Sequence, residues 1–258
     1  MILAWLCFFD GLVALAVMAA GLVGAHFGQA APSVGFQVFI IGLLNAAIGL
    51  MLGLVAVPLA IFSPSRKAAR FPALFGGLLS LVLIATVAII IWPRMIKYRP
   101  ASDLTTDIVH PPEFVHAAQY PANRGRDMSY SPAAARTQQA SPLYASLAPL
   151  HLAGSPDEVF KRVAIVAGQI PSWYIMSNDP STRTLEGIAV SKVFRFNDDF
   201  VIQVRPADGG GSLVEMRSRS RNPQAPDFGA NYERIVSFFN DLQHPPSPAP
   251  PGTPQAQP

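Results

Sequence analysis

The stretch LVEMRSRSRNPQAPDFGANYERI, Leu213–Ile235, decides how the second half of this chain folds. Glu215, Arg217, Arg219 and Arg221 occupy alternate positions, so in an extended strand they share one face. Val214, Met216, Ser218 and Ser220 take the other. Upstream, FVIQVR (200–205) is a second strand-like run, and ADGGGS (207–212) is the turn between them. A hairpin symmetric about Gly209 sets Val204 against Val214, Ile202 against Met216, Val201 against Arg217 and Asp199 against Arg219. Apolar then meets apolar, which favours this register; a slip of one residue would bring Asp198 opposite Arg219 instead. A carboxylate facing an arginine across strands is worth a few tenths to about 1 kcal/mol.

Two further runs, WYIMS (173–177) and RTLEGIAVSKV (183–193), precede the hairpin, with a turn at NDPS. Ser155, Pro156 and Glu158 form the capping-box pattern that opens a helix, which Gly168 closes. A last helix is expected from about Asp227 to Leu242, with Phe228, Tyr232, Ile235, Phe239 and Leu242 on one face. The order helix, four antiparallel strands, helix predicts a small α+β core at 155–243. Residues 100–154 are rich in Pro, Ala, Ser and Gln and read as an extended arm of the same domain. The Pro-rich tail, 244–258, carries too few apolar groups to offset ordering entropy and is expected to stay disordered.

The first 99 residues are of a different kind. Ile2–Ala25, Val34–Phe62 and Phe71–Trp92 are apolar runs broken only by Asp10, Gln37 and Asn45, and each exceeds the roughly 20 residues a membrane-crossing helix needs. Only 14% of the chain is charged, against about a quarter in ordinary soluble domains. The first run lacks a basic start and contains an acid, so it reads as a span rather than a signal peptide. The prediction is three transmembrane helices followed by the α+β domain. Gly49 and Gly53, in GLMLG, have the spacing that lets membrane helices associate closely. Asp10 and Asn45 are expected to form a packing contact between the first two spans.

Basic residues follow span two (Arg66, Lys67, Arg70) and span three (Arg94, Lys97, Arg99) in equal number. The free amino terminus tips the orientation towards amino terminus in and domain out. Beyond Ala101 there are 13 Lys or Arg and 15 Asp or Glu, so no basic domain surface points to nucleic acid. Cys7, in the first run, is the only cysteine, which excludes an intramolecular disulfide and a thiolate metal cluster.

The strand arginines admit two readings. One is an ion-pair ladder with Asp198, Asp199, Glu186 and Asp227 as the acids. The other is a site for an anion or a partner, built from Arg217, Arg219, Arg221, Asn231 and Arg234, since a guanidinium fork binds two oxygens at once. The start of the last helix would add favourable N–H groups. A nucleophile role for Ser218 or Ser220 lacks a nearby histidine. His110, His116 and His151 have no metal-ligand spacing, and no GxSxG, Walker or CxxC motif occurs. No metal or cofactor is expected.

The run Arg217, Ser218, Ser220, Arg221, Asp227, Gly229, Asn231, Arg234 and Ile235 resembles the signature of the domain-of-unknown-function 1499 family. TTDIVHPPEF (105–114), LEGIA (185–189) and FNDDFVIQVR (196–205) extend the resemblance to about residues 101–243. NPQAP after Arg221 departs from the family's usual spacer. The resemblance implies a domain often tethered to bacterial membranes, with relatives in plastids, and hence an inner-membrane protein with a periplasmic domain. The function expected is a non-enzymatic binding or scaffolding module of the cell envelope, with the lipid bilayer and an anionic ligand or envelope protein as partners. The alternative is a hydrolase-like enzyme acting on a phosphate- or carboxylate-bearing substrate. A cleft holding Asp198 or Asp199 free of arginine would favour the enzyme.

Overall fold

The computed structural model of the chain describes residues 1–222 and 227–244. The spacer at 223–226 and the tail from 245 onward lie outside the described residues, and with them the expectation of a disordered tail. The chain divides into two units, Met1–Lys97 with Lys192–Arg195, and Tyr98–Ser191 with the residues from Phe196.

The first unit contains three helices long and apolar enough to cross a membrane: α1 (Ile2–His26), α2 (Pro32–Ile61) and α3 (Arg70–Lys97), the last two joined by a 3₁₀ turn at Pro64–Ala69. Their packing inverts that of a water-soluble bundle. Small residues are buried between the helices, among them Ala14, Gly42, Ala46, Gly53 and Gly76, while Phe9, Ile41, Leu44, Leu78 and Ile89 point outward. Close backbone approach, rather than burial of large side chains, holds such helices together. A Cβ on Gly53 would lie 2.8 Å from the Cα of Gly77, and one on Gly49 would collide with the Asp10 carboxylate and the Ser80 hydroxyl. Asn45 donates to the backbone carbonyl of Asp10 at 3.3 Å, so the polar link between the first two helices uses the main chain. Arg70 donates to the carbonyls of Ala60 and Ile61 at 3.2 Å each, closing the carboxy-terminal end of α2.

The second unit is an antiparallel sheet with helices on one face. Its strands are β1 (Asp103–Thr105), β2 (Leu150–Leu152), β3 (Trp173–Asp179), β4 (Thr184–Val190), β5 (Asn197–Pro206) and β6 (Ser212–Ser220). The order is β1-β6-β5-β4-β3, with β2 also pairing β6. Six strands replace the four expected because β1 and β2 have three residues each, too short to show a period in the sequence. Both lie along the outer edge of β6, β1 opposite Arg217–Arg219 and β2 opposite Ser212–Val214. The hairpin has the expected register, with Val204 opposite Val214, Ile202 opposite Met216, Val201 opposite Arg217 and Asp199 opposite Arg219.

Between β1 and β2 the chain forms α4 (Pro132–Gln139) and α5 (Pro142–Ala145). Helix α6 (Pro156–Gly168) begins at the expected capping box, Ser155 accepting from the Glu158 N–H and Glu158 from the Ser155 N–H. Helix α7 (Ala230–Gln243) starts later than Asp227 because Gly229 adopts a left-handed conformation (φ 84°) over the ring of Tyr98. Val163, Phe160 and Val166 of α6 and Ile235, Phe238 and Leu242 of α7 pack on Phe200, Ile202, Val204, Val214 and Met216 of the sheet. Trp173 lies 4.2 Å from Phe200 and 5.1 Å from Phe238 between ring centroids, tying β3, β5 and α7 together. The opposite face of the sheet, which carries the arginines, is covered by residues 106–130, where Phe114, Ala117 and Met128 pack on Val201.

Candidate functional site

The alternation of Arg and Ser along β6 sends two polar networks to opposite faces of the sheet. On the arginine face, Arg217 is 1% exposed and forms a two-point bond to Asp103, Nε to Oδ1 at 2.9 Å and Nη2 to Oδ2 at 2.7 Å. Its guanidinium lies 4.8 Å from the Phe114 ring centre and 5.2 Å from that of Tyr130. Arg221 grips the fully buried carboxylate of Asp199, with Nη2 2.7 Å and Nε 3.0 Å from Oδ1. Asn123 donates to the other Asp199 oxygen at 2.9 Å.

The register puts Asp199 opposite Arg219, yet its carboxylate goes to Arg221, two residues along the same face. Diagonal neighbours lie within reach of a side chain as long as arginine. Arg219 turns instead towards Asp103, with Nε 3.6 Å from Oδ2, and donates to the Met128 sulfur at 3.8 Å. Glu186, fully buried on the same face, is held by main-chain groups rather than by an arginine. It accepts the N–H groups of Val115 (3.1 Å), His116 (2.9 Å) and Ala117 (2.7 Å), which fixes the covering segment to the sheet.

On the helix face, Asp198 accepts from Arg234 at 2.6 Å. Arg234 also donates to Ser218 Oγ (2.5 Å) and Asn231 Oδ1 (2.8 Å). Asn231 accepts from the Ser218 hydroxyl (2.7 Å) and donates to Ser220 (3.0 Å) and Asp227 (3.1 Å). Asp227 accepts from the N–H groups of Ala230 and Asn231 at the start of α7. Burial, and secondarily the charge of Asp198, pushes its carboxyl up to about 6. The five candidate cationic and amide residues are therefore divided: Arg217, Arg219 and Arg221 lie on one side of the sheet, Asn231 and Arg234 on the other.

The sequence reading did not single out Asp103, Asn123, Arg126, Phe114 or Tyr130, which complete the arginine face. Their segment carries no period, and nothing local in it announces a partner some 100 residues away. Two clefts open on this face. The larger, about 520 Å³, includes His110, Glu113, His116, Asp179, Gln203 and Arg205 in its lining. Arg205 pairs with the buried Glu215 and lies 3.4 Å from Asp107. Burial holds the Glu215 carboxyl above its ordinary range against the opposing pull of Arg205. The smaller cleft, about 340 Å³, is lined by Arg219 together with Ser102, Asp127, Ser129, Ser131 and Thr137.

Fold and site together define an antiparallel α+β domain cross-braced by arginine–carboxylate pairs, preceded by three membrane-length helices. The chain belongs to the DUF1499 family, described as a protein of unknown function, whose model matches residues 103–242, more than half the chain. No curated protein and no solved structure matches it.

Proposed function

We propose that this protein is a membrane-anchored, non-enzymatic binding or scaffolding module of the bacterial cell envelope. Its three apolar helices reside in the inner membrane, and the DUF1499 domain stands on the periplasmic side. The observation that carries the reading is the state of the two acids a hydrolase would draw on. Asp199 is enclosed by the Arg221 fork and Asn123, and Asp198 is bonded to Arg234. Both carboxylates are buried and already engaged by cationic or amide donors, so neither is placed to meet a substrate proton. The cleft over β4 and β5 supplies a mixed apolar and polar surface suited to a partner, with Val109 and Val115 exposed at its rim.

A photo-crosslinking residue at position 115 in living cells tests this reading, with position 165 on the exposed side of α6 as control. A discrete adduct at 115 alone is the expected result. Turnover of a phosphate or carboxylate ester by the purified full-length protein, lost in a folded Asp199→Asn variant, would overturn it.

A further inference from the structure

We propose that Arg219 and the cleft it lines form a binding site for a phosphate-bearing ligand. The inference rests on the binding-module reading and names the ligand class. Among the described residues, Arg219, unlike Arg217 and Arg221, has no carboxylate within hydrogen-bonding distance. Asp103, the nearest at 3.6 Å, is already held at 2.7 and 2.9 Å by Arg217. Arg126 stands in the same relation to Asp199, 3.7 Å away while Arg221 holds that acid at 2.7 Å. Four guanidiniums thus share two carboxylates. Asp127, exposed in the cleft lining, accepts the Ser129 N–H at 2.9 Å, and the buried Glu186 is spent on main-chain N–H groups, so neither makes a hydrogen bond to Arg219 or Arg126.

The excess is concentrated at two side chains. Arg126 and Arg219 are only 22% and 20% exposed, so water screens them incompletely. Burial, then the charge of Arg219, holds the Arg126 pKa below its ordinary value. Partly desolvated cations without a matched acid raise the free energy of the domain unless an anion supplies the missing charge.

The lining fixes which anion. Beside the Arg219 fork stand the hydroxyls of Ser102, Ser129, Ser131 and Thr137. Ser131 Oγ already accepts the Ala134 N–H at 3.1 Å, which leaves its hydrogen to donate. A carboxylate presents two oxygens in one plane, most of which the fork covers. A phosphate presents three, so it can take the fork and the hydroxyls together. At about 340 Å³ the cleft has room for a phosphate and several attached heavy atoms. A soluble phosphomonoester and a phosphomonoester lipid headgroup share this chemistry.

The test uses the full-length protein in nanodiscs and ³¹P line broadening as readout. In one arm the lipid is zwitterionic and glycerol phosphate is titrated, with chloride at matched ionic strength as control; in the other the nanodisc contains phosphatidic acid. Specific broadening in either arm is expected, and the arm that responds identifies the source. Arg219→Gln should weaken the interaction at least tenfold. Ser129→Glu, which places a carboxylate in the cleft from an exposed position, should do the same without touching an ion pair. No broadening in either arm, or equal affinity in both variants and wild type, overturns the site. If the site fails while the position-115 adduct persists, only the ligand class falls and the binding-module reading stands.

Discussion

At the scale of single residues, the arginines of β6 differ in what their removal leaves behind. Arg217→Ala would leave Asp103, which is 8% exposed, with no cation nearer than Arg219 at 3.6 Å, and would empty the slot between Phe114 and Tyr130. Breaking a buried pair costs about 3–5 kcal/mol, much of it from the uncompensated partner. Arg221→Ala leaves Asp199 with Asn123 and Arg126 still near, so a loss of roughly 1–3 kcal/mol is expected. The exposed Arg136→Ala should stay within about 0.5 kcal/mol. Urea unfolding of the three variants should give that order, and equal midpoints for Arg217→Ala and Arg136→Ala would refute it. Asp227 allows a pH test. It is an acid whose folded value, about 6, lies above its ordinary 3.8, so between those values the native state keeps a proton that the unfolded chain has lost. Its contribution is therefore full below pH 4 and declines as pH rises to about 6, by roughly 3 kcal/mol at most. Asp227→Asn should match wild type at pH 4 and exceed it at pH 7. A stability difference independent of pH would show that Asp227 ionises normally in the fold.

At the scale of elements, the segment between Tyr98 and β2 is held to the sheet by polar contacts as well as by apolar anchors such as Leu104, Tyr144 and Phe114. Gln138, buried on α4, accepts the Thr105 N–H (3.0 Å) and donates to the carbonyls of Thr105 (2.6 Å) and Tyr144 (3.3 Å). Gln138→Ala removes these three bonds and the one it accepts from the Tyr130 hydroxyl (2.9 Å), and leaves buried main-chain groups unpaired, each worth about 1–3 kcal/mol. Amide exchange at Thr105 should accelerate at least tenfold while Val204, in the middle of the hairpin, stays protected; uniform protection would mean that α4 does not hold β1. The same contrast explains what the sequence made legible. The β5–β6 register could be read because apolar pairs and the ADGGGS turn agree on it, and α6 because capping box and apolar stripe coincide. β1 and β2 could not, since three residues carry no period and their order comes from pairing with β6. For the same reason Asp103 gave no sign that it, and not Asp199, is the nearest acid to Arg219. In α7 the expected Ile235 and Leu242 are fully buried and Tyr232 and Phe239 pack on the core partly buried, while Phe238, outside the expected stripe, is the fully buried ring.

At the scale of the whole molecule, orientation in the membrane sets what the clefts can meet. With three helices crossing the membrane, as proposed, the amino terminus and the DUF1499 domain would stand on opposite sides. Arg66 and Lys67, in the turn between α2 and α3, would then lie on the amino-terminal side, and Arg94, Lys97 and Arg99 on the other. Arg70 keeps its charge while bound to the carbonyls ending α2, so the count stands at three on each side. Counting loops alone therefore favours neither side strongly, and two further terms decide. The amino-terminal charge adds to the Arg66–Lys67 side, and a domain of this length translocates largely regardless of its own charges. Both favour the proposed orientation, with the amino terminus in the cytoplasm. Alkaline phosphatase fused after His244 should be active in a bacterial host, and a green fluorescent protein at the same position should be dark. Bright fluorescence there would reverse the orientation and put the clefts before cytoplasmic partners. Replacing Arg66 and Lys67 with Gln while keeping Arg70 should then lower phosphatase activity, since it removes the charges that hold the α2–α3 turn inside. Unchanged activity in that variant would show that translocation of the domain, and not loop charge, sets the topology.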